Sequence, residues 1–180
     1  MKALVVYGTR WGGTTDIAET IGETLNHCGY VVDVVDAKKS QPEIDPYDLV
    51  IVGSGISMGK WTKEVMSFLE KNATGLESKK TACFVSCGMV LRQQGREKAL
   101  QDYLVKIAEK YCLSPVSYGV FGGFLDFDKS HGFLGNFFVN SSKKKLQKMG
   151  VDTTRPYDFR NWDAIRSWTR KLTDARVLEN

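Results

Sequence analysis

The sequence predicts an α/β protein: a doubly wound, five-stranded parallel sheet in the order 2-1-3-4-5, covered by helices as a three-layer α/β/α sandwich. Two observations lead to this prediction. Short apolar runs alternate with segments of helical periodicity, and strands that alternate with helices form parallel sheets that are covered on both faces. Loops rich in small residues follow the first, third and fourth of these runs. The chain has 180 residues, which suits a single domain over residues 1–180.

The strands are predicted from five apolar or β-branched segments, at residues 3–7, 31–35, 49–52, 81–86 and 116–124. The helices are predicted from four segments with apolar residues three or four positions apart, at residues 14–25, 63–69, 96–111 and 161–172. The first helix should pack on the sheet through Ile17, Ala18, Ile21 and Leu25. The last should pack through Trp162, Ile165, Trp168 and Leu172.

Composition is that of an ordinary water-soluble domain. Hydrophobic residues make up 42% and charged residues 26% of the chain. No segment contains the roughly 20 consecutive apolar residues of a membrane span. Met1 leads directly into a strand-like segment, so we expect no signal peptide and a cytoplasmic protein. We expect no nucleic-acid partner, and we leave the oligomeric state open.

Charge is unevenly distributed along the chain. Residues 1–128 carry a net charge of −2, whereas residues 129–180 carry +6, for a total of +4. This basic C-terminal part favours an acidic partner or an anionic surface. The four cysteines (Cys28, Cys83, Cys87 and Cys112) form no CxxC pair and have no histidine at metal-binding spacing. We therefore expect no metal site, and we interpret all four as buried, reduced thiols.

The loop after strand 1 is a candidate phosphate site. It runs from Gly8 to Thr14 and contains Thr9, Arg10, Trp11, Gly12 and Gly13. Glycines allow close backbone approach, and consecutive N–H groups at a helix N-terminus bind anions. The loop lacks the lysine of a P-loop and the spacing of a dinucleotide fingerprint. The alternative is a glycine-rich turn in which Thr14 is the helix N-cap.

The loops after strands 3 and 4 should lie beside the first loop, because ligands of doubly wound sheets bind beyond the carboxyl ends of the strands. Their small and apolar residues suit a flat ring that needs polar contacts at its edge and apolar cover on its faces. Trp61 has an alternative interpretation as a hydrophobic staple for the following helix. The candidate residues are Ser54, Gly55, Ile56, Ser57, Met58, Gly59 and Trp61 in one loop, and Ser86, Cys87, Gly88 and Met89 in the other.

An aromatic and basic insert is predicted at residues 126–150. Its apolar residues, such as Phe133, Phe137 and Leu146, are interleaved with the basic run at residues 143–145. An apolar face with a basic rim would suit peripheral contact of residues 129–150 with a membrane, or a quinone or porphyrin ligand. The alternative is one further core helix with a solvated face. His131 is a lone histidine in this segment, and we do not assign it a catalytic role.

The segment Gly8-Thr9-Arg10-Trp11-Gly12-Gly13-Thr14 resembles the signature with which flavodoxins wrap the phosphate of FMN. The resemblance implies that Thr9, Gly12, Gly13, Thr14 and the backbone of Trp11 surround that phosphate. It also implies that the loops after strands 3 and 4 enclose the isoalloxazine ring. Thr9-Arg10, Gly55-Ile56-Ser57, the aromatic and basic insert, Thr153-Thr154-Arg155 and Asn161-Trp162 together resemble one branch of the superfamily. That branch contains flavodoxin-domain proteins and quinone-linked, oxygen-independent protoporphyrinogen oxidases.

The resemblance implies an FMN-binding electron-transfer protein that acts between cytoplasmic redox partners of the ferredoxin-dependent type. An FMN-dependent oxidoreductase of the menaquinone-linked protoporphyrinogen oxidase or quinone reductase type is the alternative. A third hypothesis is a flavodoxin fold that serves as an interaction module without a cofactor. Many flavodoxins carry a stacking tyrosine and acidic residues after strand 4, whereas residues 86–92 contain neither. Nearby carboxylates disfavour the anionic reduced flavin, so we predict a less strongly reducing cofactor than in acidic flavodoxins.

Overall fold

The computed structural model describes residues 1–127, 140, 143, 146–148 and 150–173. Five parallel strands form the central sheet in the order β2-β1-β3-β4-β5, which confirms the predicted topology. These strands are β1 (Lys2–Gly8), β2 (Val31–Asp36), β3 (Leu49–Gly55), β4 (Lys80–Ser86) and β5 (Ser117–Phe121).

Helices cover both faces of the sheet, as predicted. Among the described residues, they include α1 (Thr15–His27), α2 (Lys63–Glu77), α3 (Gly95–Ala99), α4 (Lys106–Lys110) and α5 (Trp162–Lys171). A 3-10 helix, Gly88–Leu91, follows β4, and a π-helix, Leu100–Val105, connects α3 to α4. Helix α2 continues eight residues beyond the predicted end at residue 69, because Asn72 and Leu76 extend its buried face.

The side chains of each central strand alternate between two hydrophobic clusters. In β1, Leu4 and Val6 pack on the side of α2 and α4, whereas Ala3 and Val5 pack on the side of α1 and α5. The predicted apolar face of α1 is completely buried, and in the closing helical segment Ile165 and Leu172 are completely buried. This period-two alternation between two covered faces is the expected pattern for a parallel sheet buried on both sides.

The fifth strand ends at Phe121, three residues earlier than predicted. Gly122 and Gly123 then pass against Phe159, whose backbone N–H donates to the carbonyl of Gly123 at 3.1 Å. A side chain on Gly122 would overlap the Phe159 carbonyl. The chain therefore leaves the main sheet and forms a small antiparallel pair, β6 (Phe124–Leu125) with β7 (Tyr157–Asp158).

The predicted insert at residues 126–150 lies largely outside the described residues, as does His131. The prediction that all four cysteines are buried is wrong for two of them. Cys83 and Cys87 are buried, whereas Cys28 and Cys112 are exposed. Both exposed residues follow the end of a helix, where the chain turns at the surface, and Cys112 has a positive φ of 54°. Among the described residues, no helix has the length and hydrophobicity needed to cross a bilayer.

Candidate functional site

Three loops meet at the carboxyl edge of the sheet. The strand register places Gly8 beside Ser54 and Gly55 beside Ser86, so β1, β3 and β4 end at the same level. The loops that follow them border a pocket of about 320 Å³. This volume lies at the lower end of the range for small-molecule and cofactor sites.

The loop between β1 and α1 presents free backbone donors. Gly12, at a φ of +88°, donates its N–H to Thr9 Oγ1 at 2.9 Å and accepts from the N–H of Thr15 at 3.0 Å. Within the described part of the chain, the N–H groups of Gly13 and Thr14 have no hydrogen-bond acceptor. Unpaired N–H groups at the start of a long helix carry a partial positive charge and suit an anion.

Thr14 occupies the N-cap position of α1, but its side chain does not cap the helix. Its backbone is already helical, with φ −83° and ψ −21°, and its side chain makes no capping hydrogen bond. The residue is nevertheless only 3% exposed. Its hydroxyl lies beside Gly55, where an added Cβ would come within 2.6 Å of Thr14 Oγ1. Thr14 is therefore the N-cap residue by position, as the alternative interpretation has it, but its hydroxyl is not used in capping and is available to a ligand.

The loop after β3 is held in a tight hairpin. Ser57 and Lys60 exchange backbone hydrogen bonds of 3.2 and 3.1 Å, and the two residues between them, Met58 and Gly59, have φ values of 54° and 74°. Two consecutive positive φ values are typical of a type I′ turn. The turn leaves Met58 58% exposed at the rim of the pocket, where its thioether can cover a ligand face.

The loop after β4 joins the pocket to the end of β5. Ser86 Oγ donates to the carbonyl of Gly122 at 2.9 Å, and the N–H of Cys87 donates to the carbonyl of Phe121 at 3.0 Å. Burial raises the pKa of the Cys87 thiol, although backbone N–H groups of Met89 and Val90 and the charge of Arg96 oppose the shift. Cys87 therefore borders the pocket as a neutral thiol at neutral pH.

Most of the predicted site residues border the pocket. These are Thr9, Arg10, Trp11, Gly13, Thr14, Gly55, Ile56, Ser57, Met58, Gly59, Ser86, Cys87, Gly88 and Met89. Gly12 lies in the first loop but does not line the pocket. Ser54 is completely buried beneath it and accepts from the backbone N–H of Thr62 at 3.0 Å.

The structure does not bring Trp61 to the pocket, which corrects the expectation that its ring covers a flavin. Trp61 is 6% exposed and belongs to the core cluster that contains Val65 and Leu104. Its indole Nε1–H donates to the carbonyl of Tyr103 at 2.8 Å. The carbonyl of Tyr103 in the π-helix thus serves as the hydrogen-bond acceptor for the indole N–H. This hydrogen bond holds the ring against the π-helix, away from the ligand pocket.

Sequence reasoning missed one wall of the pocket. This wall is built largely from the region beyond β5, with Phe124 and Leu125 of β6, Phe159 after β7, and Leu146. Tyr157 and Phe159 stack with ring centroids 5.6 Å apart. The pairing of β6 with β7 that places these rings has no local sequence signal, since its two strands are two residues long. Leu91, Arg92 and Gly123 complete the lining.

The charge lining the pocket is positive. Among the described residues that border it, Arg10 and Arg92 are the charged ones, and none is a carboxylate. One guanidinium nitrogen of Arg10 donates to the carbonyl of Trp61 at 3.4 Å. Together with the free N–H groups of the first loop, these side chains make the pocket suited to an anionic ligand with an apolar body.

Comparison with known proteins relates this chain to flavodoxin-domain proteins. The sequence model of the flavodoxin domain matches residues 4–148. Protoporphyrinogen IX dehydrogenase [quinone] of Escherichia coli (strain K12) is 27% identical, over 99% of this chain and 100% of that protein. An uncharacterized protein of Methanocaldococcus jannaschii is 33% identical, over 73% of this chain and 87% of its own length.

Solved flavodoxins share the fold. Oxidised flavodoxin 1 from Bacillus cereus superposes with a TM-score of 0.51 at 22% identity, covering 67% of this chain and 82% of its own. A flavodoxin from the domain Archaea superposes with a TM-score of 0.53 at 18% identity, covering 97% of this chain and 100% of its own.

Proposed function

The chain belongs to the flavodoxin domain family, whose members bind FMN and transfer electrons, and from this premise we propose that its pocket holds FMN for electron transfer between cytoplasmic redox partners. The observation that carries the proposal is the convergence of three loops. One of them supplies unpaired N–H donors for a phosphate, and the other two border an apolar slot.

The residues present fit the cofactor. The N–H groups of Gly13 and Thr14 and the Thr14 hydroxyl would hold the phosphate, with Thr9 and Gly12 shaping the loop. The apolar side chains of Ile56, Met58 and Met89, together with the small residues around them, would cover the ring. FMN supplies the redox chemistry when it is bound, and the protein contributes binding, orientation and electrostatics.

Reconstitution with FMN tests this proposal. We expect the purified protein to bind FMN in a 1:1 ratio, with quenching of flavin fluorescence and a yellow colour that remains after desalting. Riboflavin, which lacks the phosphate, should bind more weakly. A protein that takes up no FMN would contradict the proposal and leave the interaction-module hypothesis.

We further propose that the electron donor or acceptor is either a protein of the ferredoxin-dependent type or a quinone. A positive pocket without carboxylates suits an acidic protein surface, since complementary charges accelerate encounter. A carrier should exchange electrons rapidly with such proteins, and the rate should fall steeply as salt is raised.

A second candidate function is an FMN-dependent oxidoreductase that acts on a quinone or on protoporphyrinogen. The apolar wall formed by Phe124, Leu125 and Phe159 favours it, because it extends the pocket with a surface suited to a flat apolar substrate. The full-length similarity to the Escherichia coli dehydrogenase also supports it. Steady-state turnover of protoporphyrinogen with a menaquinone acceptor would support the enzyme, whereas electron exchange with proteins and no such turnover would support the carrier.

A further inference from the structure

Arg160 connects the segment after β7 to the candidate phosphate loop. Its guanidinium side chain is only 6% exposed. Nε and Nη2 donate to the two carboxylate oxygens of Asp158 at 2.8 and 2.7 Å. Nη1 donates to Asp16 Oδ2 at 2.6 Å and to the carbonyl of Gly13 at 3.1 Å. The guanidinium carbon also lies 4.4 Å from the centroid of the Trp162 ring.

The hydrogen bond to Gly13 orients the peptide that matters for phosphate binding. The carbonyl of Gly13 and the N–H of Thr14 belong to the same peptide unit, and this peptide, like the others in the described ranges, is not cis. In a trans peptide these two groups point in opposite directions. When Arg160 holds the Gly13 carbonyl, the unpaired N–H of Thr14 is therefore directed away from Arg160.

The ion pair with Asp16 removes an electrostatic obstacle. Asp16 lies in the first turn of α1, two residues after Thr14, and its carboxylate is 56% exposed. A carboxylate there favours the helix dipole but repels a phosphate dianion bound at the same helix end. Although desolvation opposes it, pairing with Asp158 and Asp16 raises the pKa of Arg160, so the guanidinium stays charged.

We propose that Arg160 is a positioning residue for the FMN phosphate. It orients the Gly13–Thr14 peptide toward the phosphate and neutralises Asp16, which would otherwise repel the ligand. This inference rests on the proposed FMN function. It adds a residue about 150 positions away from the phosphate loop to the machinery that recognises FMN.

The experiment compares FMN with riboflavin, which differ only in the phosphate. Arg160→Gln keeps a neutral donor and removes the charge. We expect its Kd for FMN to rise about tenfold or more, which is about 1.4 kcal/mol, because the Gly13–Thr14 peptide loses its anchor and the Asp16 carboxylate is left uncompensated. Its Kd for riboflavin should change less than about threefold. Equal losses for both flavins would show a merely structural role and overturn the inference.

The second arm uses Asp16, an exposed residue whose replacement should leave the fold intact. In the Arg160→Gln background, Asp16→Asn removes the uncompensated carboxylate, so FMN affinity should recover at least about threefold while riboflavin affinity stays constant. Absence of recovery would overturn the electrostatic part of the inference. In the wild-type background, Asp16→Asn is the matched control, and its FMN-to-riboflavin ratio should not fall.

If Arg160→Gln does not fold, Arg160→Lys is the variant used for the same comparison of FMN with riboflavin. Lysine retains the charge but lacks the planar fork that reaches Asp158, Asp16 and the Gly13 carbonyl together. We expect an FMN-specific loss smaller than that of Arg160→Gln, and an unchanged FMN-to-riboflavin ratio would count against the inference. A wild-type protein that binds neither flavin would instead refute the proposed function itself.

Discussion

A carboxylate at Gly88 should make the bound flavin a stronger reductant. Gly88 borders the pocket, and a Cβ added there meets no other atom within 4 Å. Its φ is not in the left-handed region, so a Cβ can be added there without backbone strain or a clash within the described part of the chain. Gly88→Asp and Gly88→Asn have nearly the same shape and differ in one negative charge, so their comparison isolates electrostatics.

The magnitude follows from Coulomb's law. For a carboxylate about 7 Å from the ring in an effective dielectric constant of about 20–40, repulsion of the reduced flavin anion amounts to roughly 1–2 kcal/mol. Since about 1.4 kcal/mol corresponds to roughly 60 mV for one electron, the potential should fall by about 50–100 mV. Arg92 lies nearby and would attract the new carboxylate, which favours the lower end of this range.

Spectroelectrochemical titration of the FMN-loaded variants measures the effect. The midpoint potential of the last one-electron step should be lower in Gly88→Asp than in Gly88→Asn, and the difference should shrink in high salt. Potentials that agree within about 10 mV would refute the assignment of Gly88 to the flavin site. The wild-type potential should itself be higher than in flavodoxins with acidic loops, and an equally low value would refute the earlier prediction from residues 86–92.

Three further predictions concern the loop, the core and pH. Gly12→Asp should abolish FMN binding in fluorescence titrations, because it places a charge and a side chain against the phosphate. Gly12 has a φ of +88°, so Gly12→Ala adds a side chain at that strained position without charge and separates strain from charge. Unchanged affinity in the Asp variant would refute the phosphate placement. Trp61→Phe removes the donor to the Tyr103 carbonyl and should lower the free energy of unfolding in urea by about 1–3 kcal/mol. FMN affinity should change less than about threefold. A large loss of affinity would instead show that Trp61 contributes to flavin binding. Burial and the hydrogen bond to Asp33 raise the pKa of Tyr47 to about 12. The folded chain therefore retains this proton more tightly, and the resulting stability is intact below pH 10 and lost toward pH 12. Tyr47→Phe should lose less stability over that interval, and parallel pH profiles would contradict the assignment.

Structural features that depend on residues close together in the sequence were predictable. The apolar runs of β1 and β3 and the helical periodicity of α1 are local patterns that depend on burial alone. The order of strands and helices then restricted the topology to a doubly wound sheet, and this topology placed three loops at one edge. For that reason most residues of the pocket could be named from the sequence, including both residues with a positive φ in the loop after β3.

Features that depend on a specific partner were not predictable. The same small-residue loop pattern that suggested a ligand contact for Trp61 is compatible with a core position. The carbonyl of Tyr103, 42 residues away, determined the outcome. Burial of a cysteine likewise depends on what covers it, which is why Cys28 and Cys112 were assigned wrongly.

By itself, the sequence determined the α/β architecture and singled out the Gly8–Thr14 loop as the candidate anion site, because strand and helix periods and glycine-rich turns express local physical preferences. Only the tertiary structure decided how that site is supported. It brought the β6–β7 pair against the pocket and placed Arg160 on Gly13, across 147 positions of sequence. A contact over such a distance arises from the packing of the whole chain and leaves no periodic signal in either segment.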